Sequence, residues 1–300
     1  MVLVTAIITT IGTDYLRKAI YSVKAQTYKN IELIVCYDGN NFNEFKEKTE
    51  NEFDSLILLN VGPFNNANNA RQTGIAQANG KYIALLDDDD YWHEKHIEEN
   101  INEAEKCKND NILLVSNSIL VSNQKESRVL PERYYDSKKE SVAEYLFCLK
   151  KNKKTLMQTS SFFFNKEVAV LYPFDTSLSL HQDYDWVIRV DRSHQVLIKQ
   201  TQHNTSYYVI DANVNSISKK SRANDSLDWV VKRLSGESNS LIFSFLRFNT
   251  LWFARILDFN SIKVILKNIR KSLKLNYFHM FLILIIWFRY RVAFLVKDFK

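Results

Sequence analysis

Six glycines and three prolines in 300 residues are too few for a collagen-like or linker-like chain. Three cysteines, Cys36, Cys107 and Cys148, are odd in number, and no two are spaced CxxC. That excludes a disulfide framework and a cysteine zinc site, and it points to buried thiols in a reducing compartment. No GxGxxG, P-loop, GxSxG or HExxH occurs, so none of the corresponding dinucleotide, triphosphate, hydrolase or zinc-protease chemistries is indicated. The chain enters Val2-Leu3-Val4-Thr5-Ala6-Ile7-Ile8 almost at once, with no basic n-region or small-residue cleavage site, so no secretory signal is expected. The longest apolar run, Tyr277–Phe288, is twelve residues before Arg289 and Arg291 interrupt it. A bilayer span needs about 20.

What is present is the composition of a folded chain: 46% hydrophobic, 13% aromatic and 25% charged residues, which exclude disorder. The net charge is +6, but residues 261–300 hold nine Lys and Arg against the single Asp298. The basic excess therefore belongs to the tail, and no nucleic-acid partner is expected.

The first half alternates apolar runs with helical spacing. Val2–Thr9, Ile31–Tyr37, Leu56–Leu59 and Tyr82–Leu86 read as buried strands. Between them a helix starts after Asp14, another spans Asn43–Glu52, and a third covers Asn66–Ala78. This βαβ pattern predicts a mostly parallel sheet, in which ligands bind beyond the carboxyl ends of strands. A helix is expected near 93–107. Short strands are expected at 112–115, 119–121, 158–164, 196–199 and 206–210, with helices near 139–150 and 183–192. From about 222 the chain reads as helical. The expected organisation is an α/β domain over 1–220 and a helical extension over 221–300.

Several groups stand where chemistry is expected. Asp87-Asp88-Asp89-Asp90 follows a strand directly. Four adjacent carboxylates repel one another, and a divalent cation relieves that; Mg²⁺ characteristically takes one or two carboxylates plus substrate phosphates. Asp38 ends another strand in Tyr37-Asp38-Gly39, where a turn or a base or ribose contact are equally good readings. Arg71 is the one cation in Asn66–Ile75, and its forked donors suit phosphate. Asp183 opens a helix in His181-Gln182-Asp183-Tyr184-Asp185-Trp186, as a cap or as a general base. Trp186, on the same face, is read as a buried ring or as a sugar-stacking one. His93 and His96 are three residues apart without further ligands and read as ordinary histidines.

Taken in order, these pieces resemble the inverting glycosyltransferases of family 2. Val4–Thr10 resembles the opening strand, and Ser22-Val23-Lys24-Ala25-Gln26-Thr27-Tyr28 the end of the first helix. Glu32–Gly39 resembles the strand whose Asp contacts uracil, with Tyr37 where a first Asp is usual. Ala70-Arg71-Gln72-Thr73-Gly74-Ile75 and Gly80–Asp90 match strongly, and Asp87-x-Asp89 is the DxD element. Gln182-Asp183 occupies the usual Glu-Asp position, and the stretch Tyr208–Asn213 corresponds to Tyr-Arg-x-His, which places Asp211 at the His. The resemblance covers residues 3–220.

The resemblance implies a GT-A fold, Rossmann-like with a mostly parallel mixed sheet flanked by helices. It implies Asp183 as catalytic base, nucleotide contacts from Thr9, Asp38, Arg71, Asp87 and Asp88, acceptor contacts from Asp185 and Trp186, and a divalent metal, Mn²⁺ or Mg²⁺, on Asp87, Asp89 and Asp211. The implied activity is transfer of a hexose from a nucleotide-sugar, of UDP type, to a hydroxyl of a glycan or lipid-linked acceptor in surface-polysaccharide or lipopolysaccharide synthesis. The alternative is a catalytically degenerate nucleotide-sugar-binding module. A processive synthase is disfavoured because neither a QxxRW motif nor a transmembrane helix is expected. A nucleotidyltransferase is disfavoured because no glycine-rich triphosphate loop is present. The basic, aromatic tail suits the cytoplasmic face of the inner membrane, a peripheral location.

Overall fold

The computed structural model describes residues 1–148, 150–210, 222–254, 259–273, 275 and 277–297. They form two compact units, Met1–Asn213 and Val214–Lys300.

The first unit opens with three βαβ crossovers: β1 (Val4–Thr10), α1 (Leu16–Lys24), β2 (Ile31–Tyr37), α2 (Phe42–Glu52), β3 (Ile57–Asn60), α3 (Ala67–Gln77) and β4 (Tyr82–Asp87). A two-residue strand β5 (Tyr91–Trp92) and α4 (His96–Glu105) follow. Then come β6 (Ile112–Ser122), β7 (Lys125–Leu130), α5 (Val142–Phe147), a 3-10 turn Thr159–Ser161, β8 (Phe162–Asn165), α6 (Lys166–Leu171), α7 (Gln182–Arg192) and β9 (Leu197–Val209). The sheet order is β3-β2-β1-β4-β8-β6-β9-β5, with β7 on β6. Strands β1 to β4 are parallel, β8 runs antiparallel to both of its neighbours, and β6 and β9 are parallel. This is the expected mixed sheet. It differs from the sequence reading where two short strands were expected on either side of residues 116–118 and of 200–205. Each pair is one long strand, because polar Ser116, Asn117 and Ser118 and Thr201 and Thr205 are buried in the sheet rather than exposed in turns.

The two faces of β1 have different cover. Ala6 and Ile8 join Leu33, Val35, Ala84 and Leu86 under α1 and α4. Ile7 faces α3 at Gly74, where a methyl group would lie 2.7 Å from Ile7 Cγ2 and 2.9 Å from Cys36 Sγ. Only glycine lets α3 approach so closely, and the approach sets the position of Arg71 one turn earlier. Asn66, not foreseen as such, caps α3 by accepting from the Asn68 and Asn69 N–H groups. Cys36 is fully buried, and burial pushes its thiol up to about 12, consistent with an inert cysteine. His96 is equally buried, stacked on Trp92 at 4.4 Å, and burial pushes its imidazole down to about 3. It is a neutral core group.

The second unit is helical over its described residues: α8 (Ala223–Leu234), α9 (Asn239–Phe245), a π-helical turn Leu246–Thr250, α10 (Leu251–Ala254), α11 (Phe259–Leu273) and α12 (Tyr277–Lys297). The run of twelve apolar residues is part of a longer helix. Arg289 and Arg291 continue it instead of ending it, and Tyr277–Phe294 is long and apolar enough to cross a membrane. The argument from length against spanning is thereby removed.

Gly74→Ala tests the close approach of α3. Overpacking of about 1–3 kcal/mol opposes a helix-propensity gain of about 1 kcal/mol. A net loss of about 1 kcal/mol in chemical denaturation is expected, and an unchanged or raised midpoint would contradict the packing.

Candidate functional site

The strand order 3-2-1-4 reverses direction between β1 and β4. In doubly wound sheets the crevice at such a reversal, beyond the carboxyl ends of the strands, is where ligands bind. Thr9 pairs with Asp87 across that point, so the acidic turn, the end of β1 and Asp38 at the end of β2 border one crevice.

The four carboxylates have separate fates. Asp90 is buried; its oxygens accept from the Val209 N–H at 2.9 Å and the Ser160 hydroxyl at 2.6 Å. Burial, and then Asp89, push its carboxyl well above the usual range. Asp88 accepts from the Thr10 and Thr13 hydroxyls at 2.5 and 2.8 Å, and burial raises it too. It anchors the loop after β1. By residue exposure Asp87, Asp88 and Asp89 are all partly buried, and Asp90 alone is fully buried. Asp88 and Asp90 are thus tied to hydroxyl and backbone donors of the surrounding loops, while Asp87 accepts from Arg71 and Thr9.

Arg71 joins the pieces. Its side chain is buried, and one terminal nitrogen lies 2.8 Å from Asp87 Oδ1. The other terminal nitrogen donates to Asn68 Oδ1 at 3.1 Å and to Gln182 Oε1 at 3.3 Å. Thr9 also donates to Asp87 Oδ1, at 3.4 Å. Gln182 starts α7, so the next residue, Asp183, sits in that helix's first turn, where the N-terminal dipole favours a carboxylate. Burial raises the Asp183 carboxyl, Arg71 lowers it and Asp87 raises it. Gln182, at the position of a usual Glu, keeps a partner: an amide oxygen in place of a carboxylate.

Asp38 is buried, and its two oxygens each accept a backbone N–H, from Asn65 and Asn66, at 2.8 Å. It holds the loop that carries the α3 cap. Tyr37 stacks on Phe45 at 4.0 Å and donates its hydroxyl to the Asn40 carbonyl.

Two expectations are corrected. Trp186 has no exposed surface; it stacks on Phe174 at 4.5 Å, packs on Phe162 and Phe164, and donates to the Tyr172 carbonyl. It belongs to the core and has no face for a sugar. Asp185 is buried against Arg189 at 2.8 Å, an i,i+4 pair within α7, so its carboxylate serves the helix and not an acceptor. Sequence reasoning quotes Tyr184 and Tyr208 only within longer motifs and gives neither a role of its own. Burial raises both phenols, and the charges of Asp183, for both, and of Asp90 and Asp89, for Tyr208, raise them further. The period of two on β9, which puts Tyr208 on the same face as buried Ser206, is the signal that could have found it.

Asp211 lies outside the described residues. Among the described residues no group of three His, Cys, Asp or Glu has a metal-holding arrangement. Asp87 and Asp89 supply two hard oxygen donors, which fits a Mg²⁺-like ion whose remaining ligands come from substrate phosphates and water.

Comparison with known proteins places this geometry in context. Residues 5–169 match the model of glycosyl transferase family 2. The chain is similar to an uncharacterized glycosyltransferase of Rickettsia typhi, 32% identical over 204 residues, 64% of this chain and 61% of the relative. It is also similar to the amylovoran biosynthesis glycosyltransferase AmsB of Erwinia amylovora, 28% identical over 193 residues, 62% of each. The chain thus spans about three fifths of the length of these curated relatives. Among solved structures, S. aureus TarS 1-349 in complex with UDP-GlcNAc matches with a TM-score of 0.64, covering 90% of this chain and 80% of the other at 11% identity, a likeness of fold.

The Asp90 contacts make a prediction about stability alone. Asp90→Ala leaves the Val209 N–H without its acceptor and is expected to cost about 1–3 kcal/mol. Asp90→Asn, which can accept from Val209 and donate to Ser160, should cost under about 1 kcal/mol. Equal losses in urea denaturation would show that these bonds do not fix the turn.

Proposed function

Because the chain belongs to glycosyl transferase family 2, we propose that it transfers a sugar from a nucleotide-sugar, a UDP-sugar, to a hydroxyl of a glycan or lipid-linked acceptor in cell-surface polysaccharide synthesis, with inversion. The observation that carries this is the Arg71 clamp. One buried guanidinium ties the DxD turn at Asp87 to the start of the helix that bears Asp183, at the reversal of strand order. The likeness of fold to TarS in complex with UDP-GlcNAc supports the donor class, and the name of AmsB supports the acceptor class.

The chemistry follows from the groups at the crevice. Asp183 takes the proton of the acceptor hydroxyl as that oxygen attacks the anomeric carbon. The bond from that carbon to the nucleotide diphosphate breaks, and the diphosphate leaves with the electron pair. One displacement with one base inverts the centre, without the exchange of roles that a retaining pair of carboxylates needs. Burial, by raising Asp183, strengthens it as a base. A divalent ion held by Asp87 and Asp89 would supply charge stabilisation to the departing diphosphate. Arg71 has an Nε with no hydrogen-bond partner and contributes positive field at the same place. The basic second unit, rich in exposed aromatics, supports a peripheral location on the cytoplasmic face of a membrane.

The direct test is thermal unfolding with UDP, with and without Mn²⁺. Ligand at 100 times its Kd stabilises by about 2.7 kcal/mol. A shift that needs both Mn²⁺ and Asp89, and is absent in Asp89→Asn, is expected; no shift with UDP under any condition would remove the donor assignment. Asp183→Asn should bind UDP as well as the parent while turnover falls by about 10²–10⁴. Retained turnover would exclude Asp183 as base.

The pH profile carries a further expectation. Asp183 must be ionised to accept a proton, and burial raises its pKa. Turnover should therefore fall as pH drops through a midpoint above the ordinary carboxylate range. Arg71 opposes that rise, so Arg71→Gln should move the midpoint upward and Arg71→Lys should move it less. A midpoint that stays put in Arg71→Gln would show that the guanidinium does not act on the base.

A further inference from the structure

We infer that α12 lies flat in the interfacial layer of an anionic lipid leaflet, with Phe278, Phe281, Ile285, Phe288 and Val292 turned into the acyl boundary. This deepens the peripheral-membrane reading and rests on it. The spacing of these five residues, three and four alternately, makes one stripe along the helix, and each is 38 to 65% exposed. The opposite stripe is committed to the protein. Ile283 and Trp287 are buried, the Trp287 indole N–H donates to the Ala254 carbonyl at 3.0 Å, and Tyr290 meets Trp252 edge to face at 5.9 Å. A helix apolar on both faces belongs in a core or a membrane. Here one face has its core and the other does not.

Charge identifies what covers the outer face. Residues 259–297 contain eight Lys and Arg and no Asp or Glu. Lys263, Lys267, Arg270 and Lys271 are all exposed on α11, at intervals that share one side of the helix. Each basic residue near an anionic leaflet contributes about 1 kcal/mol, while the exposed aromatics supply the apolar share.

The same residues decide between lying in the leaflet and crossing it. α12 has 21 residues, about 31 Å at 1.5 Å per residue, enough to span. Trp287 is its midpoint, so a spanning orientation would hold Arg289 and Arg291 about 3 and 6 Å from the bilayer centre at 1.5 Å per residue, a costly depth for two cations. It would also detach Trp287 from Ala254. In the flat orientation, about 100° of turn per residue puts Arg289 and Arg291 on opposite flanks of the apolar stripe. Both then reach the headgroups while the stripe stays buried.

The test uses the full chain. Flotation is compared on vesicles of phosphatidylcholine alone and of phosphatidylcholine with a quarter phosphatidylglycerol, and membranes of expressing cells are extracted with alkaline carbonate. The expected result is at least tenfold more flotation on the anionic vesicles, release by carbonate, and loss of flotation in Phe281→Glu/Phe288→Glu. That double variant should keep its helical circular dichroism and its UDP-dependent thermal shift. Flotation with resistance to carbonate would mean that α12 spans, which overturns the flat orientation and leaves the membrane reading intact. Equal flotation on both vesicles would overturn the charge argument. No flotation on either vesicle would overturn the membrane reading itself. If the parent then elutes as a dimer and the double variant as a monomer, the stripe is the seat of a second copy.

Discussion

The ion pair between Arg71 and Asp87 is the constraint on which the crevice depends. A buried guanidinium is costly to desolvate, and leaving it without a partner strands an uncompensated charge. Arg71 offsets that cost with Asp87, Asn68 and Gln182 together. Those partners come from the end of β4, from α3 and from the start of α7, the last of them 111 positions from Arg71 in sequence. None of them can move far without stranding the charge. Gly74, by letting α3 seat against Ile7 and Cys36, brings the guanidinium within reach. Asp38 adds the other end of the support, since it holds the loop whose Asn66 caps the same helix. The geometry around the acidic turn is therefore a consequence of helix seating, not of the turn alone.

That turn shows how one residue type serves two ends. Two of the four carboxylates are consumed by hydroxyl and backbone donors and rise in pKa through burial. Their partners, Thr10, Thr13, Ser160 and Val209, come from three separate parts of the first unit. Asp87 is instead held by Arg71 and the Thr9 hydroxyl, and Asp89, like Asp87 and Asp88, is partly exposed. A run of four identical acids gives no sign of this division. Only the identity of the neighbours across the sheet decides which carboxylate is structural.

What could be read before the structure, and what could not, follows from the same distinction. The alternation of buried strands and amphipathic helices through residue 92 is a local signal, and the strand ends at Asp38 and Asp87 follow from it. β7 is invisible in the sequence because four of its six residues are exposed and polar and a fifth, Val129, is exposed, leaving no alternating apolar pattern to detect. β6 and β9 were each read as two strands because buried serine, asparagine and threonine imitate turns. For Trp186 the sequence leaves a buried ring and a sugar-stacking ring both open. Its burial depends on Phe162, Phe164 and Phe174, which lie far from it in the chain or in a neighbouring loop. Long-range packing of that kind has no periodicity to betray it. The length of α12 was missed for the opposite reason: two arginines look like an end in a hydropathy pattern, although arginine is a good helix former.

Gln182 is the departure from the family pattern that matters most for the charge of the crevice. With a glutamate there, Arg71 would stand among three carboxylates, Asp87, Asp183 and the new one. With glutamine it stands between two, and the third contact is a neutral amide oxygen that still fixes the guanidinium. The amide keeps the contact to Arg71 and carries no charge where, on the proposed function, a diphosphate would bind. It also removes a carboxylate that would push Asp183 further up, since like charges nearby favour the protonated form. On the proposed function, Gln182 would keep Asp183 beside Arg71 while making the crevice less repulsive to an anionic donor. A site that kept the glutamate would have to recover the difference from its cation.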